Sequence, residues 1–137
     1  MEDKPISFLD SETDALMKDY FSSSPGSYPL FVAVANLIVS KFSEVTVKIQ
    51  KTQIAFSSKH NFAFIWLPPF KVPNRPETYI VVSFGADHEI KHSRINDARE
   101  VQPKRWIHHV LISRLEEVDE TLLGWLQSSY QQARKSL

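Results

Sequence analysis

Residues 54–67 read Ile54-Ala55-Phe56-Ser57-Ser58-Lys59-His60-Asn61-Phe62-Ala63-Phe64-Ile65-Trp66-Leu67, and the reading of this stretch decides the fold. Ile54 and Phe56 alternate with Gln53, Ala55 and Ser57, the period-two pattern of a strand with one buried face. The polar run Ser58-Lys59-His60-Asn61 reads as a hairpin turn. Phe62 to Leu67 is apolar throughout, so the returning strand is either covered on both faces or leaves one apolar face bare.

Working outward, Val45, Val47 and Ile49 alternate with Thr46, Lys48 and Gln50, which predicts another half-buried strand. Downstream, Tyr79 to Phe84 is apolar apart from Ser83, and Ile107 to Ile112 reads as a further strand. Pro68, Pro69, Pro73 and Pro76 stiffen a loop that cannot enter a sheet interior. The flanks are helical. Residues 11–21 put Leu16, Met17, Tyr20 and Phe21 on one stripe, with Asp10 or Ser11 as cap and Glu12 and Asp14 in the first turn. After the break Ser22-Ser23-Ser24-Pro25-Gly26-Ser27, Pro29 suits the first turn of a second helix. That helix carries Leu30, Phe31, Val34, Leu37, Ile38 and Phe42. Ser113-x-x-Glu116 has the form of a capping box, and Asp119 offers a second start. Leu122, Leu123, Leu126 and Tyr130 then line an apolar face running to the basic pair Arg134-Lys135. The expectation is an α+β fold: an antiparallel sheet of about five strands, with two N-terminal helices and a C-terminal helix packed mainly on one face.

The chain has 137 residues, which reads as a single domain spanning 1–137. A chain of this length buries roughly 68% of the surface its unfolded form exposes, so neither metal nor disulfide is needed for folding. The absence of cysteine excludes disulfides, thiolate nucleophiles and cysteine-ligated zinc, and fits a reducing cytoplasm. The first residues lack the apolar segment of a signal peptide. The longest apolar run, residues 30–39, is too short to span a bilayer, so no membrane partner is expected.

The formal net charge is zero, yet the charges are unevenly placed. Residues 48–109 hold ten Lys or Arg against five Asp or Glu, whereas residues 1–47 hold three against seven. All five histidines (His60, His88, His92, His108 and His109) fall in the basic segment. A basic strand region gathered on one surface attracts anions, and one scattered over loops is merely solvated.

Five short motifs occur in one order: Lys51-Thr52-Gln53-Ile54-Ala55-Phe56, Asn61-Phe62-Ala63-Phe64, Ser83-Phe84-Gly85, Trp106-x-His108-His109 and Leu122-Leu123-Gly124-Trp125-Leu126. Over about residues 12–130 the chain resembles the bacterial family called domain of unknown function 5655. The resemblance implies small stand-alone proteins or C-terminal modules, some beside nuclease-like or transport-labelled regions. It implies no activity and carries over no catalytic residue.

Candidate ligand-binding residues are Lys51, Gln53, Arg105, His108 and His109. Lys51 and Gln53, near Lys48 and Gln50, form a cluster able to grip a phosphate or a base edge; lysine on an edge strand equally blocks aggregation. Lys104-Arg105-Trp106 sets cations beside an indole, suited to stacking on a base, although a core tryptophan at a strand start reads the same way. Trp66 and Phe62 offer a stacking platform if one sheet face is open, and are core residues if it is not. His108 and His109 are adjacent on a strand and so point to opposite faces. One belongs in the core; the other either faces a groove, free to act as acid, base or anion donor, or is structural as well. His88 and His92 have a spacing that would ligate metal only on a helix, and their loop-like sequence argues for no metal site. Glycine-rich phosphate loops and a nucleophile elbow are missing from the sequence, and the strand region holds no tight acidic pair. No cofactor is expected. The leading functional reading is a non-catalytic binding module for an anionic ligand, with nucleic acid as the chief candidate. Protein interaction or self-association as a homodimer comes second, and a small enzyme using a groove histidine comes third.

Overall fold

The computed structural model describes residues 11–135. Two helices open it, α1 (Ser11–Tyr20) and α2 (Ser27–Lys41). Six strands follow: β1 (Thr46–Ile49), β2 (Ile54–Ser58), β3 (His60–Trp66), β4 (Ile80–Ala86), β5 (Ile95–Gln102) and β6 (Arg105–Ile112). A short 3-10 helix, Leu115–Glu117, leads into α3 (Glu120–Lys135). The sheet is antiparallel throughout, in the order β1-β2-β3-β4-β6-β5. The α+β class, the antiparallel sheet and the three helices are as the sequence indicates.

One face of the sheet carries Ile54, Phe56, Ala63, Ile65, Ile80, Val82, Phe84, Val110 and Ile112, all buried. The three helices press their apolar stripes into this same core. Met17 comes from α1 and Phe21 from the turn just after it, Phe31, Val34 and Ile38 from α2, and Leu122 and Leu126 from α3. Phe31 reaches Phe56 at a ring separation of 6.5 Å, and Trp125 stacks on Phe84 at 5.5 Å. Each such side chain contributes roughly 1.5–3 kcal/mol through burial.

Two local expectations are corrected. The sheet has six strands, because residues 95–102 form β5. That strand is an edge and mostly exposed, so it has no apolar alternation to betray it. The carboxylate that opens the final helical region is Glu117 rather than Glu116. Glu117 Oε1 accepts the N–H groups of Ser113 at 2.8 Å and Arg114 at 3.2 Å. Asp119 does cap α3, accepting Leu122 N–H at 3.1 Å. Of the caps expected for α1, Asp10 lies outside the described residues, as do the side chains of Ser11, Glu12 and Asp14.

Of the two readings open for Phe62, the structure takes the core one. A register shift between β2 and β3 pairs Phe56 with Ala63 but Ser57 with Asn61, leaving Phe62 as the extra residue of a bulge. The bulge turns Phe62 toward the helices, where it is 2% exposed and packs edge-on against Phe42 and Tyr130. Next to it, the β3–β4 ladder ends at the pair Ala63–Phe84. The Ser129 hydroxyl of α3 bonds both strands there, donating to Phe62 C=O at 2.7 Å and accepting Gly85 N–H at 3.0 Å.

Candidate functional site: the helix-free face of the sheet

Strand side chains alternate between faces, so the pairing register fixes what lies opposite the helices. That face carries Lys48 on β1, Phe64 and Trp66 on β3, Val81 and Ser83 on β4, Arg105, Ile107, His109 and Leu111 on β6, and Asp97 and Arg99 on β5. Phe64, Trp66, Ile107, His109 and Leu111 are all part-exposed. Val81 and Ser83 lie beneath them, 1% and 2% exposed.

A hydrogen-bonded chain crosses the middle of this face. Trp66 Nε1–H donates to Ser83 Oγ at 2.9 Å, and Ser83 Oγ lies 2.6 Å from His109 Nδ1. An indole can only donate, so the arrangement that uses every hydrogen has the serine accept from Trp66 and donate to His109. His109 is then neutral, with its proton on Nε2. Its pKa is lowered, first by burial and further by the positive charges of Arg99 and Arg75, against the pull of Asp97. The His109 and Trp66 rings meet edge to face at 5.7 Å. The chain of bonds locks both rings in place, so an approaching ligand meets a rigid aromatic pair.

Serine beside histidine also suggests a nucleophile. Here the hydroxyl is sealed under its neighbours and one lone pair is held by Trp66. Such a hydroxyl orients the two rings, and no substrate carbonyl reaches it.

Cations rim the face. Lys48 and Arg105 are exposed, and Arg99 keeps 75% of its side-chain exposure while standing 3.9 Å from Asp97. Arg75, in the loop between β3 and β4, donates to Tyr79 Oη at 3.2 Å with its guanidinium over that ring. The same loop holds Phe70 with 74% of its surface in solvent, next to Lys71.

The residues singled out from sequence fall at different places. His109 lies on the helix-free face. His108 lies on the helix face, fully buried and stacked on Phe84 at 5.3 Å. Its Nε2 accepts Ile90 N–H at 2.9 Å, which pins the segment after β4, and among the described residues its Nδ1 has no hydrogen-bond partner. Burial lowers its pKa as well. Nothing at the surface can touch it. Lys51 and Gln53 belong to the turn between β1 and β2 and line a cavity of about 750 Å3 that Trp66 also borders. Arg105 lines a second cavity, of about 590 Å3, at the opposite end of the strands, with Phe64, Gly85 and Ile107. The structure therefore gathers Trp66, His109 and Arg105 on one face and sets Lys51 and Gln53 at one end of it. Among the described residues no cluster of three or more metal-ligating side chains occurs. His88 pairs with Asp87 at 2.7 Å, whereas His92 leans on Trp125, in a segment that is not helical.

Sequence reasoning missed Phe64, Ser83, Asp97, Arg99 and Arg75 as members of this site. Phe64 was legible in principle, since it shares strand parity with Trp66. Asp97 and Arg99 were not, because their strand shows no apolar period.

Fold and face together define an α+β domain with helices on one side of an antiparallel sheet and an aromatic, cation-rimmed surface on the other. Residues 17–133 match the family described as Domain of unknown function (DUF5655), and the chain belongs to it. No curated protein and no solved structure matches the chain. Among the described residues no helix is long and apolar enough to cross a membrane.

Proposed function

We propose that this domain binds single-stranded nucleic acid on the helix-free face of its sheet. The observation that carries the reading is the pairing of part-exposed rings, Phe64, Trp66 and His109, with cations around them, Lys48, Arg75, Arg99 and Arg105. Bases stack on such rings, and the cations meet the phosphates. Stacking contributes about 1–3 kcal/mol per base and tolerates any sequence. A duplex hides the faces of its bases, so the unpaired strand is the form that fits. The cysteine-free composition suits work in a reducing cytoplasm.

Self-association over the same face is the competing reading, motivated by the apolar β3 and β4. The cationic rim disfavours it: a two-fold dimer would bring like charges together across the interface. Fluorescence anisotropy with a labelled single-stranded oligonucleotide, at about 50 and 200 mM salt, tests the proposal. Binding that weakens as salt rises supports it. Lack of any salt-sensitive binding at protein concentrations on the order of tens of micromolar removes it.

A further inference from the structure

The cavity at the β1–β2 turn lies at the end of the aromatic face and shares Trp66 with it. We propose that this cavity is a base-reading pocket for one nucleotide of the bound strand, selective for an amino-bearing base, adenine or cytosine, over thymine and uracil. The inference rests on the single-strand reading of the open face and adds sequence preference to it.

Size and lining suit one nucleotide. The volume, about 750 Å3, falls in the range of small-molecule sites. Ile49, Leu67, Pro68 and Pro69 supply apolar walls for a ring. The pocket is also pre-formed. Tyr20 Oη donates to Thr52 C=O at 2.8 Å and accepts Leu67 N–H at 3.2 Å, tying the turn to the opposite wall. Gln50 N–H donates to Gln53 C=O at 2.8 Å, which closes the turn itself.

The polar groups at this turn supply the selectivity. Gln53 Nε2 donates to Gln50 Oε1 at 3.0 Å, which fixes the orientation of the Gln53 amide. Its Oε1 and second Nε2 hydrogen remain, an acceptor beside a donor. That pair complements adenine and cytosine, whose exocyclic amino groups each donate beside a ring nitrogen that accepts. Asp19, also on the cavity wall, is an acceptor that favours an amino group over a carbonyl oxygen. Lys51, exposed on the same wall, stands ready for the phosphate. Thymine and uracil present a carbonyl where adenine presents its amino group, and they lose the contact to Asp19.

Short single-stranded homopolymers of A, C and T, titrated by anisotropy against the wild type, Gln53→Ala and Gln50→Ala, test this. The wild type is expected to bind oligo-A at least about fivefold more tightly than oligo-T. Gln53→Ala is expected to bring that ratio close to unity, chiefly by weakening the binding of oligo-A. Gln50→Ala, which frees the Gln53 amide to rotate, is expected to reduce the ratio and serves if the first variant does not fold. A wild type that binds all homopolymers equally overturns the pocket and leaves the open-face reading standing. A preference that survives both substitutions does the same. Binding of no oligomer overturns the open-face reading, and the pocket with it.

Discussion

His108 and His109 are neighbours in sequence with opposite environments, and strand parity alone separates them. His108 Nε2 accepts a backbone N–H inside the core, and His109 Nδ1 meets Ser83 on the other face. Both are held below the ordinary histidine pKa of 6.5, chiefly by burial. Two groups whose folded pKa is depressed bind protons first in the unfolded chain. Their contribution to stability is therefore complete above about pH 6.5 and is lost as pH falls through the folded values. The urea midpoint is expected to drop between about pH 7.5 and 5.5, and the drop is expected to be smaller in His109→Gln. A midpoint that stays flat over that interval, or an unchanged slope in the variant, contradicts the neutral assignment. Strand parity made the split between the two histidines legible in the sequence. The serine that orients His109 was not, because Ser83 reads only as a polar interruption of an apolar run.

At the scale of elements, the meeting of α3 with the β2–β3 bulge does most to set which residues face solvent. Without the bulge, Phe62 would share parity with Phe64 and Trp66 and stand on the open face. With it, Phe62 joins Phe42 and Tyr130, and Ser129 bonds Phe62 C=O and Gly85 N–H. Ser129→Ala takes the hydroxyl from the part-buried Gly85 N–H and the buried Phe62 C=O and is expected to cost about 1–3 kcal/mol in chemical denaturation. A loss below about 0.5 kcal/mol would show that the hydroxyl is not needed there. Strands with apolar period, both N-terminal helices and the Asp119 cap were readable, because burial writes itself into composition. The bulge was not, because Asn61-Phe62-Ala63-Phe64 is equally consistent with a regular strand. Nor was β5, whose partner is β6 alone and whose side chains are largely in water.

On the scale of the whole molecule, the uneven charge seen in the sequence acquires a direction. Lys48, Arg75, Arg99 and Arg105 come from different loops and strands, and only the sheet brings them around one set of rings. Others of the same basic segment point elsewhere: Lys59 reaches the end of α3, donating to Arg134 C=O at 3.4 Å. Arg94 clamps Asp119 and the Glu117 carbonyl at 2.8–3.1 Å, with its guanidinium over Trp125. Net charge along a chain cannot separate these two fates, which is why the site was legible in kind but not in membership. Arg105→Ala is expected to reduce the slope of log affinity against log salt by about 0.7, the amount for one phosphate contact on a single strand. An identical slope in the variant would place the phosphates elsewhere.

The most direct measurement is a map of amide and indole NMR shifts as unlabelled single-stranded oligonucleotide is added to isotope-labelled protein. Shifts are expected to concentrate on Phe64, Trp66, Ile107 and His109, with the Trp66 indole N–H moving as a base stacks over its ring. Shifts confined to α2 and α3, or none at saturating oligonucleotide, would contradict the assignment of function to the bare face of the sheet.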